Sequence, residues 1–224
     1  MRTVLIAGLL AGLAGAPALA EFEAGLAVTS DYRFRGVSMS EEDPALQASL
    51  DWSGQGGFYA GAWGSTIAPF GDADVEIDLY AGFVRPLGAA ELDVGVLVYT
   101  YPGEPDTAYG ELYAGVSVPT GPVASTFKAA WAPEQGNLGG EEDVYLSYAA
   151  EAPLGASGLT GFAGIGYETG AFGDPDGDGD DKIDWTLGIG GAVAGVDWTL
   201  AYVDTSEAGP LSDATVVLSI GRAF

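Results

Sequence analysis

The sequence has no cysteine and no histidine, and only 7 Lys and Arg residues stand against 32 Asp and Glu. Without cysteine there is no disulfide framework, no thiol nucleophile and no Cys-ligated zinc or iron–sulfur centre. Without histidine the commonest general base and metal ligand is missing, which excludes any hydrolase built on a Ser–His or Asp–His pair. A formal net charge of −25 repels phosphate backbones and argues against nucleic acid as a partner. Long hydrophobic runs are also scarce: beyond residue 20 no window approaches the roughly 18 consecutive apolar residues of a spanning helix. A chain of this kind can cross a membrane only as a closed β-barrel. Yet 48% of its residues are hydrophobic and 36 are glycine, with only 17% charged. Apolar and acidic residues must therefore be separated in space, not by disorder.

Residues 1–20 read as a secretory signal peptide: Arg2, an apolar stretch from Val4 to Leu13, and the small-x-small site Ala18-Leu19-Ala20 before Glu21. A single domain then occupies 21–224. It alternates with period two nearly throughout, the signature of strands. From Glu21 to Val37 the even positions are mostly apolar and the odd ones include Asp31, Arg33 and Arg35, which predicts one long strand. The same parity sets Leu46, Leu50 and Trp52 against Asp51, and Ile77 and Leu79 against Glu76 and Asp78. Farther on, Leu92 and Val94 oppose Glu91 and Asp93, Leu112 opposes Glu111, and Phe127 opposes Lys128. Trp185 opposes Asp184, and Trp198 opposes Asp197. Gly57 to Ser65 and Leu159 to Glu168 carry small residues on both faces, so their facing is open. Longer acidic connections, including Ser38 to Pro44, Ile67 to Asp74, Pro133 to Asp143 and Thr169 to Lys182, take turns with short ones such as Ser53 to Gly56. About twelve strands of roughly ten residues account for this pattern. The expected fold is all-β: a single antiparallel up-and-down transmembrane barrel with both termini periplasmic.

A soluble secreted barrel also alternates. Three features favour the membrane: carboxylates at mid-strand, which a watered lumen tolerates; aromatic residues toward strand ends, as at membrane interfaces; and a final alternating strand ending on Phe224. That ending resembles the signal outer-membrane proteins present to the barrel-assembly machinery. Ser30-Asp31-Tyr32-Arg33-Phe34-Arg35-Gly36-Val37-Ser38, then Pro44-Ala45-Leu46-Gln47 and Gly57-Phe58-Tyr59-Ala60-Gly61-Ala62-Trp63-Gly64-Ser65, resemble the TorF family, whose members are read as outer-membrane porins of little established biochemistry. The resemblance implies an outer-membrane location and a channel-like shape, and supplies no substrate.

The expected lumenal or selectivity residues are Asp31, Arg33, Arg35, Asp51, Glu76, Asp78, Glu91, Asp93, Glu111, Lys128, Asp184 and Asp197. Arg33 and Arg35 have two readings: a transverse field across an open pore, or a brace of ion pairs that closes a narrow one. With Lys128 as the remaining lumenal base, the wall is acidic and favours small polar or cationic solutes. The segment Asp174-Pro175-Asp176-Gly177-Asp178-Gly179-Asp180 with Asp184 resembles a calcium loop, with carboxylates at alternate positions and glycine at the sixth. It lacks the twelfth-position Glu, which is Trp185, and has no flanking helices. The other reading is a solvated acidic external loop that shares divalent ions with lipopolysaccharide phosphates. No cofactor is required. An enzyme using paired acids such as Glu76 and Asp78 is the less favoured class, because acids recurring at i and i+2 on several strands read as wall lining. A non-conducting structural or ligand-binding barrel is the main alternative.

Overall fold

In the computed structural model, which describes residues 20–173 and 181–224, the chain closes into a twelve-stranded antiparallel barrel. Its wall begins with β1 (Glu21–Thr29). A small hairpin follows, β2 (Arg33–Phe34) and β3 (Val37–Ser38). The wall resumes with β4 (Ala45–Ser53), β5 (Phe58–Phe70), β6 (Ala73–Leu87), β7 (Ala90–Thr100), β8 (Tyr109–Thr120) and β9 (Val123–Ala132). It is completed by β10 (Asp143–Pro153), β11 (Thr160–Gly170), β12 (Lys182–Val193), β13 (Val196–Thr205) and β14 (Thr215–Ala223). Each wall strand pairs with its sequence neighbour, β1 with β4 across the hairpin, and β14 returns to β1 with Leu26 opposite Arg222 and Val28 opposite Ile220. Closure leaves no free sheet edge. The even strand number brings Ala20 and Phe224 to one end, here the terminal rim. The other end is the loop rim.

The parity of the sequence becomes an inside and an outside. Outward side chains such as Leu26, Leu50, Leu79, Leu112, Leu187 and Val216 are exposed apolar residues, whereas the carboxylates of the same strands point inward. That is the reverse of a soluble barrel, which hides its apolar face. The two undecided strands also resolve. In β5, Tyr59, Gly61, Trp63 and Ser65 face inward and Phe58 outward. In β11, Phe162 and Glu168 face inward, and Ile165 and Tyr167 outward. Glycines belong to this packing. Inward rings lie across the glycine of the neighbouring strand: Tyr59 opposite Gly82, Tyr80 opposite Gly61, Tyr113 opposite Gly95 and Phe162 opposite Gly188. A Cβ at any of the four glycines would run into the ring, so the small residues seat the large ones.

Two sequence expectations are corrected. The connection expected from Ile67 to Asp74 is a tight turn at Gly71-Asp72, because β5 and β6 continue past the expected ends to Phe70 and from Ala73, with a bulge between Thr66 and Phe70. The long strand expected from Glu21 to Val37 stops at Thr29. Arg33 and Arg35 are not on the wall; they belong to the hairpin, which folds into the barrel. Its alternation continues that of β1, which is why the break is silent in the pattern. The turn is a two-residue one with Arg35 at φ 48° and Gly36 at φ 88°, the mirror-image geometry that fits the twist of two-residue hairpins.

Candidate functional site: the hairpin and the acidic wall

The site is where the hairpin meets the wall. Asp31 organises its base. Arg33 Nε donates to Asp31 Oδ2 at 2.5 Å, Ser38 Oγ to Asp31 Oδ1 at 2.6 Å, and Ser40 Oγ to the same oxygen at 3.2 Å. Arg33 also donates to the carbonyls of Gly36 at 3.1 Å and Leu211 at 2.9 Å and to the Glu42 carboxylate at 3.2 Å. This ties the hairpin to the β13–β14 loop, an attachment strengthened by the Ser38 amide donating to the Leu211 carbonyl at 2.8 Å. On the other side the Ala68 amide of β5 donates to the Met39 carbonyl at 2.8 Å. Because Asp31 and Arg33 pair with each other, neither presents a free charge to the lumen.

Arg35, at the hairpin tip, reaches across the barrel. Its guanidinium donates to Glu111 Oε1 of β8 at 2.6 Å, to Asp143 Oδ2 of β10 at 3.3 Å, and to Glu168 of β11. It lies over the Tyr145 ring at 4.3 Å and the Phe34 ring at 4.7 Å. Lys182 at the start of β12 closes the set by pairing with the second oxygen of Glu168. Three strands thus converge on one fork-shaped cation, whose five donors suit several carboxylates at once. The sequence reading missed Asp143, Glu168 and Lys182. Asp143 and Lys182 fell in expected connections, and Glu168 in a strand of open facing; the inward parity of Glu168 with Phe162 was the available signal.

Apolar packing completes the constriction. Phe34 packs edge-on against Tyr99 with centroids 5.6 Å apart, and Tyr32 against Trp63 at 5.2 Å. Tyr99, Tyr109, Leu97, Ala130 and Ala132 form a buried cluster on the wall beside the hairpin. The Tyr32 hydroxyl donates to Glu76 Oε1 at 3.0 Å. Burial, reinforced by the Glu76 and Asp78 carboxylates, pushes the Tyr32 phenol well above its ordinary value, so it stays a proton donor.

Toward the terminal rim the inner wall is different. Glu23, Asp51, Glu91, Asp93, Glu151 and Asp197 are half-buried, with Lys128 as the basic side chain among them. Lys128 lies 4.5 Å from the Tyr113 ring centroid. Asp93 accepts from the Tyr59 hydroxyl at 2.6 Å, and Asp51 from Tyr80. No hydrogen bond or ion pair runs from the hairpin to these acids; the hairpin acts on this half through the field of Arg35 at Lys128 and the packing of Phe34 on the cluster that includes Tyr113.

Of the expected lumenal residues, the structure brings Arg35 to Glu111 and places Asp51, Glu91, Asp93, Lys128 and Asp197 on the open wall. Asp184 sits on the inner face of β12, where it accepts from the Tyr145 hydroxyl at 3.2 Å. It is therefore a wall residue, as its lumenal reading expected. The other expected calcium ligands, Asp174, Asp176, Asp178 and Asp180, lie outside the described residues. Among the described residues no group of three or more Asp, Glu, His or Cys side chains is arranged to hold a metal.

Residues 13–221 match the model of Gcw_chp, a bacterial protein family of unknown function. No curated protein matches the chain. Among solved structures it is similar to the KdgM porin in complex with disordered oligogalacturonate, with a TM-score of 0.59, 7% identity, and coverage of 92% of this chain and 98% of that one. It is also similar to the NanC porin, with a TM-score of 0.58, 11% identity, and coverage of 91% and 98%. An outer membrane channel from Pseudomonas putida F1 aligns with a TM-score of 0.54 and 11% identity, over 96% of this chain and 100% of that one. At these identities the likeness is one of fold.

Proposed function

The chain belongs to the Gcw_chp family, and we propose that it is an outer-membrane channel for small polar or cationic solutes, narrowed at one end by its own hairpin. The observation that carries this reading is the inverted barrel: an exposed apolar belt around a polar, acid-lined interior. A contiguous apolar surface of that extent is untenable in water and natural in a bilayer. Outward Arg85 and Arg222 lie near the terminal rim, Arg222 5.2 Å from the Phe224 ring centroid. There a charge on the lipid face costs roughly 0–1 kcal/mol. The likeness of the Ser30–Ser65 segment to the TorF family supports the same reading, as do the porin neighbours.

In this reading 1–20 is an export signal, the terminal rim is periplasmic, and Phe224 addresses the assembly machinery. The acidic external connections share divalent cations with lipopolysaccharide, and calcium binding by the 174–180 segment belongs to the same proposal. The acidic vestibule disfavours polyanions, so the solute differs in charge from the oligogalacturonate bound to the KdgM porin. The carboxylates line a wall and meet tyrosine or arginine partners, an arrangement for orienting solutes and not for catalysis.

A second reading, a sealed non-conducting barrel, draws on the burial of the loop-rim half: Glu111, Tyr99 and Tyr109 are each less than one-tenth exposed. Planar bilayers separate the two. Purified folded protein should give conductance steps whose reversal potential in a KCl gradient shows cation preference. Silence from folded protein establishes the sealed barrel, and anion preference refutes the acidic-wall argument.

A further inference from the structure

Glu76 and Asp78 stand two residues apart on the inner face of β6, each only 1% exposed. The bases nearest the hairpin are committed elsewhere: Arg33 to Asp31 and Glu42, Arg35 to Glu111, Asp143 and Glu168, and Lys182 to Glu168. The two carboxylates act directly on each other and also feel Glu111. Tyr32 donates to Glu76 Oε1 and Tyr101 also bonds Glu76, whereas Glu76 Oε2 and Asp78 Oδ1 are buried with no protein donor beyond the pair itself. Two adjacent buried carboxylates with no counter-charge carry a severe desolvation cost unless a shared proton or a cation lies between them.

We propose that Glu76 and Asp78 form a binding site for a partly hydrated inorganic cation at the constriction, where a permeating ion pauses. This rests on the channel reading and deepens it. Hard oxygen ligands suit sodium- or calcium-like ions, and two carboxylates, with water completing the shell, hold an ion loosely enough to release it, as conduction requires. The hairpin contributes the Tyr32 hydroxyl, which fixes the Glu76 rotamer and turns its second oxygen free. Register puts Trp63 directly opposite Asp78 and Ser65 opposite Glu76. An ion held there lies beside an indole, which provides an optical readout.

The experiment uses the folded full chain in detergent micelles and Tb³⁺ as probe, with indole excitation and terbium emission, on an Asp176→Asn/Asp178→Asn background that weakens the 174–180 acidic segment as a competing site. The expected result is a saturable emission that Ca²⁺ competes away, that falls at least tenfold in Glu76→Gln/Asp78→Asn, and that falls severalfold in Trp63→Phe, which keeps both carboxylates. Titrations unchanged in Glu76→Gln/Asp78→Asn would overturn the site and mean that the pair shares a proton instead. If the double variant does not fold, Trp63→Phe decides: unchanged sensitised emission overturns the proposal, and its loss supports it. Because binding is read without a bilayer, a silent channel with terbium bound refutes conduction and leaves the site standing. Conduction without terbium binding does the reverse.

Discussion

The two halves of the barrel share one wall and one sequence rule, yet differ in what fills them. At the loop rim the inward carboxylates Glu111, Asp143 and Glu168 are buried around Arg35, and Tyr32, Phe34 and Met39 pack against the wall. At the terminal rim Asp51, Asp93 and Asp197 stay partly exposed, with Asp51 and Asp93 accepting from the wall tyrosines Tyr80 and Tyr59. The same residue type thus does two jobs. Where a cation is brought in on a hairpin, acids become a brace; where none arrives, they stay partly exposed on the inner wall, the place to which the proposed selectivity is assigned. Of the two sequence readings of Arg33 and Arg35, the ion pairs favour the brace, and the proposed field is assigned to the acids of the other half.

Removing Arg35 should break this contrast most severely. Arg35→Ala leaves three buried carboxylates without their guanidinium, and losing one side of a buried ion pair costs about 3–5 kcal/mol. The urea midpoint of the folded band on unboiled gels should fall accordingly, and an unchanged midpoint would mean the brace holds nothing. Arg35→Lys should recover only part of the loss, because an ammonium cannot reproduce the fork. Next comes Gly82→Val, which drives a side chain into the Tyr59 ring and the β7 backbone. Overpacking of this kind costs about 1–3 kcal/mol. Its effect should fall on the vestibule wall, leaving the hairpin contacts intact. The smallest effect on stability belongs to Asp51→Asn/Asp93→Asn/Asp197→Asn, since partly exposed sites outside the ion-pair network should shift folding by no more than about 0.5 kcal/mol each. Here the change appears in the reversal potential, with cation preference reduced toward none. A preference that survives would move selectivity wholly to the constriction.

Much of this was legible in the sequence, for a physical reason. A strand whose two faces meet different surroundings must alternate, so the inward identity of Glu76, Asp78, Glu111 and Asp197 follows from parity alone. Strand facing failed only where small residues blurred the contrast, in β5 and β11, and there the decision came from rings seated on glycines across the ladder, a pairing that needs the register. The hairpin was hidden because Tyr32 and Phe34 continue the even-apolar rhythm of β1. What marks the break is local chemistry: an Arg35-Gly36 turn, and an Asp31 within reach of Ser38 and Ser40. The ring around Arg35 could not be read at all, since Glu111, Asp143 and Glu168 lie 76, 108 and 133 residues away and meet only through closure. Asp184 had two readings, lumenal by parity and loop ligand by its nearby aspartates, and its place on the inner face of β12 is the one that parity gives.

The central claim is that the hairpin divides the barrel into a narrowed and an open half. Thr29 and Ala45 are paired across β1 and β4, so a short Gly-Ser turn can replace residues 31–43 without opening the wall. Single-channel recording of this variant beside the intact protein tests the claim directly. A severalfold rise in conductance is expected, with cation preference retained from the vestibule acids. A conductance equal to that of the intact protein, from a variant still folded on unboiled gels, would contradict it.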